Sequence, residues 1–538
     1  MKQKRLGGLC AAAIFLLCAL MTGFYLIAGY GAYLDSDMAS ELALASHLAK
    51  EGALISSTWA YSTEVRVLST QLVFTPLMAL FPHNWRLVRT LGCLILQAAL
   101  AASAYFCGRS LGARKRFALL FAGLSISVCS VVYAQMITIG AYYVPHAVLT
   151  NLYVGLTARL MTERKRGRRR GILALLCTLS VLMGASSIRY LFCAAIPAAA
   201  AGVWAYLFPA GNEAAPREWK DKVGFLLTLI GFVFSVDGFL IGQKILPKIC
   251  DYDAARYGGV RLSAFTSADM PEMMQQALGG LARLMGYSEG SVLLSVHGLA
   301  SVGALLLPAA AAILMGRALK AAKRDGNNVL RVGVLTLAMS AAITALSFVL
   351  LEDLYLNRYW IPLMTLGAPV IAACLSRENN APLRNVCVLL FAGVVVVSSA
   401  MQIAGSMKNP EITSVQRERA AYLQDNGLTF GYATFWNANV VTELTDGDVE
   451  AVAVSIDKNA QGQGVPHTSM WLEATADRRM ERPDEPVFLM LTAQESGQLS
   501  DFLALSGAQK RWEQSGMTIY EIESQRVFFE TAQTMDAQ

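Results

Sequence analysis

"AAAIFLLCALMTGFYLIAGYGAYLDSD", residues 11–37, runs from unbroken apolar sequence straight into two aspartates one residue apart. About 20 apolar residues are what an α-helix needs to cross a bilayer. Comparable runs recur along the 538-residue chain, which is 55% hydrophobic and 16% charged, against roughly 25% charged for soluble domains. The chain reads as a polytopic α-helical membrane protein. The opening "MKQKR" suits a signal peptide, but Leu6 to Tyr30 is long for one and no small-x-small cleavage site ends it. The first span is read as a retained helix with its N-terminus in the cytoplasm.

Short Lys/Arg-rich loops stay on the cytoplasmic side. The clearest is "TERKRGRRRG" (162–171), followed by "GRSLGARKRF" (108–117), "GRALKAAKRDGNNVLR" (316–331), "PREWKDK" (216–222) and "SRENNAPLR" (376–384). Holding these inside gives spans at 8–30, 88–107, 117–134, 146–162, 171–187, 190–208, 223–243, 291–315, 332–351, 359–375 and 385–405. That makes about 11 transmembrane helices of plausible length. "VLSTQLVFTPLMALF" (67–81) is short, contains Pro76 and would invert every later loop, so it fits an interfacial or re-entrant helix. The expected division is a transmembrane region over 1–407, with long outward loops at 31–87 and 244–290, and a small extracytoplasmic α/β domain over 408–538. In that domain "ERAAYLQDNG" and "SGQLSDFLALSG" read as helices, and "VEAVAVSI", "PVFLMLT" and "GMTIYEI" as strands. Everything large or chemically varied falls outside.

The net charge of +6 sits in short loops rather than on one face, so no nucleic-acid partner is implied. The ten cysteines all precede residue 388 and the five histidines are scattered, which indicates neither a disulfide framework nor a His-based metal centre.

Two readings of Asp35 and Asp37 stay open. On extended backbone both carboxylates face one way and can serve one ligand, whereas on a helix they diverge by about 200°. "MASELALASHLAKEG" is a good helix ended by Gly52, with Ser36 or Asp35 as N-cap, so one aspartate caps it and the other is solvated. Alternatively the pair is a general base, or holds a hard divalent cation such as Mg or Mn.

The order of these features resembles the GT-C glycosyltransferases, the superfamily of the protein O-mannosyltransferases and the lipid A aminoarabinose transferase. "LDSD" stands where that superfamily places an acidic pair, in the first outward loop. "VRVLSTQLVFTPLMALFPHNWRLVRTLG" (65–92) is similar to its juxtamembrane stretch, with Arg86 and Arg89 in the Arg region. "LYLNRYWIPLMTLGAPVIA" (354–372), carrying Arg358 and Tyr359, is similar to its "RY-x-LP" approach to a late helix. The resemblance covers roughly residues 8–405. It implies a plasma (inner) membrane enzyme that moves a sugar from a polyprenyl-phosphate carrier to an envelope glycan, lipid or protein by inverting displacement. Asp35, with Asp37 as its partner, would take the acceptor's proton, and Arg358, helped by Arg66 or Arg86, would stabilise the departing phosphate. The chain departs from the pattern where the second outward loop offers His146 and no carboxylate, and where Arg66 is the nearest basic residue to an absent Lys-Pro-Pro.

Each remaining candidate carries a bland reading beside the functional one. Arg358 suits a lipid phosphate or an interfacial snorkel. Arg189 reads as a snorkel, and Arg256 and Arg261 as solvated loop residues that can reach a phosphate or saccharide. His146 suits substrate contact or a structural hydrogen bond. Trp59, Tyr61, Tyr142 and Tyr143 suit sugar stacking or an aromatic belt. "MPEMMQQALGGLARLMGY" (270–287) reads as an interfacial amphipathic helix. A flippase would instead carry ionisable residues buried mid-span, where Asp237 is the main candidate, and a scaffold would need none of these side chains. The transferase reading requires Asp35, Asp37 and Arg358 around one outward cavity.

Overall fold

The computed structural model describes residues 2–29, 34–208, 219–252, 270–351, 357–408, 411–469, 471–474 and 482–537. The chain enters with α1 (Lys2–Ala28), then α2 (Ser36–Glu51), strand β1 (Trp59–Tyr61) and α3 (Gln71–Leu80). There follow α4 (Trp85–Ser110), α5 (Lys115–Ser125), α6 (Val144–Thr162), α7 (Arg166–Ser186), α8 (Ile196–Leu207), α9 (Trp219–Ile245) and the short strand β2 (Asp251–Tyr252). The membrane region closes with α10 (Met270–Leu284), α11 (Val296–Arg324), α12 (Asn328–Leu350), α13 (Ile361–Arg377) and α14 (Ala381–Lys408). Eight helices among the described residues are long and apolar enough to cross a membrane: α1, α4, α7, α9, α11, α12, α13 with its preceding turn, and α14. This is a multi-pass membrane protein.

Of the three remaining expected spans, 146–162 forms the plain helix α6, and the other two depart from plain helices. The stretch 117–134 leaves the α-helix at Ser125, because "SISVCS" gives the backbone competing partners: Ser125 Oγ donates to Ala122 O at 2.8 Å and Ser127 Oγ to Gly123 O at 3.0 Å. The chain then turns through a π-helical segment, Ala134–Ile139, before α6. The 190–208 stretch likewise opens on a π-turn, Leu191–Ala195, ahead of Pro197 in the first turn of α8. At 10 residues α3 spans only about 15 Å, half a bilayer core. The basic loop expected over 316–331 is largely helical, since α11 continues through its Ala- and Lys-rich sequence to Arg324. Where α7 and α9 cross, a Cβ at Gly184 or Gly238 would collide with the opposite backbone, so glycine sets how closely these helices approach.

The C-terminal region starts with α15 (Glu411–Asp425), closed by Gly427 at φ +69°. It then builds β3 (Phe430–Thr434), α16 (Phe435–Leu444), β4 (Glu450–Lys458), β5 (Gly464–Thr468), β6 (Glu473–Ala474), β7 (Val487–Thr492), β8 (Gln509–Gln514), β9 (Met517–Ile522) and α17 (Gln525–Asp536). The expected helix "SGQLSDFLALSG" forms as two short turns, Ala493–Gln498 and Ser500–Leu505. The six-stranded sheet has the order β5-β4-β3-β7-β9-β8, with β3 parallel to both neighbours and the outer pairings antiparallel. Its centre, Phe430, Tyr432, Leu489, Ile519 and Ile522, is buried between helices on both faces.

Two joints fix this region to the rest. Strand β6 pairs antiparallel with β1, and β2 adds in parallel on the other side, so one three-stranded sheet draws from three distant parts of the chain. Helix α16 packs along α2. There Glu443 is fully buried and takes a two-pronged bond from Arg89 of α4, Nη2 to Oε2 at 2.6 Å. The same guanidinium donates to Met38 O at 2.8 Å and Ile139 O at 3.0 Å, so four of the five donors of its planar fork are engaged.

Candidate active site

Helix α2 begins where Asp35, on extended backbone, accepts a bond from Met38 N at 2.9 Å. That is N-cap geometry, and it commits the Asp35 carboxylate to the helix end. Partial burial pushes its pKa up to about 6; the neighbouring Asp37 charge adds to the rise, while the Met38 bond, Arg89 and Arg358 oppose it. Asp37, two residues on in the first helical turn, opens instead onto a cavity of about 130 Å³. Arg358 faces it there, Nη1 to Oδ2 at 3.5 Å, each side chain a little over a quarter exposed.

Four more charged groups line the same cavity. Glu64 is buried, accepts from Ser187 Oγ at 2.6 Å, and lies between Arg189 (3.6 Å) and Arg66 (3.8 Å). Glu41 lies 3.7 Å from Arg66 and accepts bonds from Thr70 and Gln71. Three carboxylates thus face three guanidiniums at 3.5–3.8 Å. These separations are longer than a charged hydrogen bond of about 2.7–2.9 Å, so an incoming phosphate can compete for the arginines. Tyr142, Tyr143 and Trp471 supply aromatic wall. Arg189 bonds Tyr143 Oη at 2.9 Å and lies over the Tyr359 ring, 5.3 Å from its centroid. Trp471 comes from the C-terminal region beside Leu472, whose φ of +55° is a strained backbone for a branched side chain.

Of the residues expected at the site, Asp37, Arg66 and Arg358 share the cavity, and the Tyr359 ring lies against Arg189 of its wall. Asp35 does not line it, so the expected gathering of Asp35, Asp37 and Arg358 around one cavity holds for Asp37 and Arg358 alone; Asp35 acts as the cap. His146 is buried one layer behind, its ring 5.4 Å from Tyr143 and 4.8 Å from Tyr190, and Nε2 makes no hydrogen bond among the described residues. Arg86 lies apart, exposed on α4 and donating to Ile27 O at 3.2 Å. Arg256 and Arg261 fall outside the described residues. Glu41, Glu64 and Trp471 had no signature beyond ordinary loop and helix sequence, and Arg189 is a wall residue rather than a snorkel.

The donor set does not suit a divalent cation held by Asp35 and Asp37. The first is spent on the helix end, the second faces a guanidinium, and no group of three or more metal-ligating side chains occurs among the described residues.

This architecture is shared with solved structures of ArnT. The chain is similar to ArnT from Cupriavidus metallidurans in the apo state, with TM-score 0.55 at 11% identity over 95% of this chain and 97% of that one. It is similar to the same protein bound to undecaprenyl phosphate, with TM-score 0.54 at 11% identity over the same shares. The oligosaccharyltransferase AglB from Archaeoglobus fulgidus, in complex with an inhibitory peptide and a dolichol-phosphate, aligns at TM-score 0.47 and 10% identity over 98% of this chain and 77% of that one. No family model and no curated protein sequence matches the chain.

Proposed function

We propose that this protein is a membrane glycosyltransferase that moves a sugar from a polyprenyl-phosphate carrier to an extracytoplasmic acceptor. The observation that carries the reading is the pairing of Asp37 with Arg358, from opposite ends of the membrane region, in one cavity. The fold shared with ArnT, a protein solved with undecaprenyl phosphate, supports the choice of donor. In the reaction the acceptor hydroxyl oxygen attacks the anomeric carbon, and Asp37 takes its proton. The bond from that carbon to the phosphate oxygen breaks, and its electron pair leaves with the phosphate. Arg358 receives the developing charge, with Arg66 and Arg189 beside it. One displacement inverts the anomeric centre. Asp35 acts by fixing the start of α2, which aims Asp37. The reading keeps about eleven spans, a cytoplasmic N-terminus, a region over 408–538 outside, and an envelope glycan, lipid or protein as acceptor.

Purified protein in liposomes, given a radiolabelled polyprenyl-phosphate sugar and envelope extract, tests this directly. Transfer should depend on Asp37. An Asp37→Asn variant that melts like wild type and transfers fully would sink the assignment. Envelope glycans compared by mass spectrometry with and without the gene identify the product.

A further inference from the structure

Helices α1, α5 and α14 all start at the end of the membrane region away from Asp37's cavity. Helix α4 sets the distance: from Arg89, bonded to Met38 O, it runs to Ser110, about 30 Å at 1.5 Å per residue. The chain then turns into α5, which lies along α1 in the same direction. A Cβ at Gly7 would meet Arg116 Nη1 at 2.9 Å, and one at Gly123 would meet Phe15. The rings of Phe121 and Phe391, 5.5 Å apart, join α14 to α5 in the same sense.

Three arginines collect where these helices start. Arg114 is exposed, and its backbone N–H donates to Ser376 Oγ at 2.8 Å, which fixes the turn against α13. Arg116 is half-buried, its guanidinium 4.6 Å from the Phe117 ring centroid. Arg114 and Arg384 stand close enough for their like charges to act on Arg116. Glu378 is the carboxylate at hand, since its carbonyl accepts from Arg384 at 3.1 Å. Its carboxylate oxygens are already taken, by Arg317 at 2.6 and 2.9 Å and by Asn380 N at 2.7 Å. Among the described residues no carboxylate pairs with Arg114, Arg116 or Arg384. The transfer step described above uses none of these side chains.

Three guanidiniums without a counter-ion favour an anion, and their planar forks match phosphate oxygens. The flanks say which phosphate. Within two helical turns of Gly7 and Arg384, Leu6 and Leu9 of α1 and Val386 and Leu389 of α14 are 61–72% exposed. A free phosphate would leave these side chains bare. A zwitterionic lipid would bring its own ammonium among the guanidiniums. An anionic phospholipid satisfies both halves, head group on the arginines and acyl chains along the helices. Basic pockets between membrane helices bind lipid head groups in this way. We propose that the corner between α1, α5 and α14 is a binding site for one anionic phospholipid, its phosphate held by Arg114, Arg116 and Arg384.

Native mass spectrometry tests it on the full chain, delipidated in detergent and titrated with phosphatidylglycerol or phosphatidylcholine of identical acyl chains. One copy of phosphatidylglycerol should bind well before any phosphatidylcholine. Arg114→Gln and Arg384→Gln should each weaken it about fivefold, and the double variant about 25-fold. Arg168→Gln with Arg170→Gln removes two exposed charges from the start of α7 and should bind it as wild type does. Glycerol 3-phosphate, a head group without chains, should not displace it. Equal binding of phosphatidylcholine overturns the proposal, and that comparison needs wild type alone, whatever a variant does to folding. So does binding indifferent to Arg114 and Arg384, an equal loss in the Arg168 and Arg170 variant, or displacement by glycerol 3-phosphate.

Discussion

Two arginine–carboxylate pairs stand close together in this protein and differ in every respect that matters. Arg89 and Glu443 are almost wholly buried, joined by two short bonds, and the guanidinium's other donors end on backbone carbonyls. Arg358 and Asp37 are partly exposed, 3.5 Å apart, and open to a cavity. A buried, multiply bonded pair is closed to a substrate, and breaking it strands a charge in a dry site. A loose pair at a cavity edge can exchange partners, as a base and a phosphate-binding cation both must. The first pair is architecture, locking the C-terminal region onto the helix that presents the second. On the proposed reading, the second does the chemistry.

That division is broken most directly at Asp37. Asp37→Asn keeps shape and removes the base, and transfer should fall by about 10²–10⁴-fold, with the melting temperature close to wild type. Glu443→Ala should do the reverse in kind. It leaves Arg89 buried without its counter-charge, at a cost of about 3–5 kcal/mol, read as a lower melting temperature in detergent and easier proteolysis between α14 and the sheet. If Glu443→Ala melted normally and lost only transfer, the two pairs would not differ as described. Arg358→Lys retains the charge and loses the planar fork. A drop of about tenfold in turnover, with stability unchanged, is expected from single-turnover rates.

The sequence showed the membrane region more clearly than the site. Apolar length picked out the eight long apolar helices, because it follows from transferring helices into lipid and depends little on tertiary contacts. The serine-rich break after Ser125 was hidden inside an apolar run, since side-chain bonds to carbonyls leave no trace in hydropathy. Strand β3, "FGYAT", went unseen because a central parallel strand buried on both faces needs no alternation, and Gly431 and Ala433 are weak strand formers. The acidic pair and Arg358 were visible as short motifs at a topological position. Glu41, Glu64 and Arg189 were not, because only the packing of the first loop against the helix mouths makes them neighbours. The division of labour between the two aspartates was legible only as alternatives: a cap must be one of the first residues of α2, and composition does not say which.

The smallest predicted effect decides that last point. Asp35 has a native pKa of about 6 against an ordinary 3.8, so the native state holds the proton more tightly than the unfolded chain. Its contribution to stability is therefore full below about 3.8 and is lost as pH rises through about 6. Asparagine caps helices as well as aspartate does and has no proton to lose. Asp35→Asn should accordingly gain stability relative to wild type as pH climbs from 4 to 7, seen as a widening difference in melting temperature that levels off above 7. Transfer by this variant should persist, because the cap still aims Asp37. Loss of transfer as deep as in Asp37→Asn, without the pH-dependent gain, would make Asp35 the base and Asp37 its partner, and the cap would then be incidental to an exposed catalytic carboxylate.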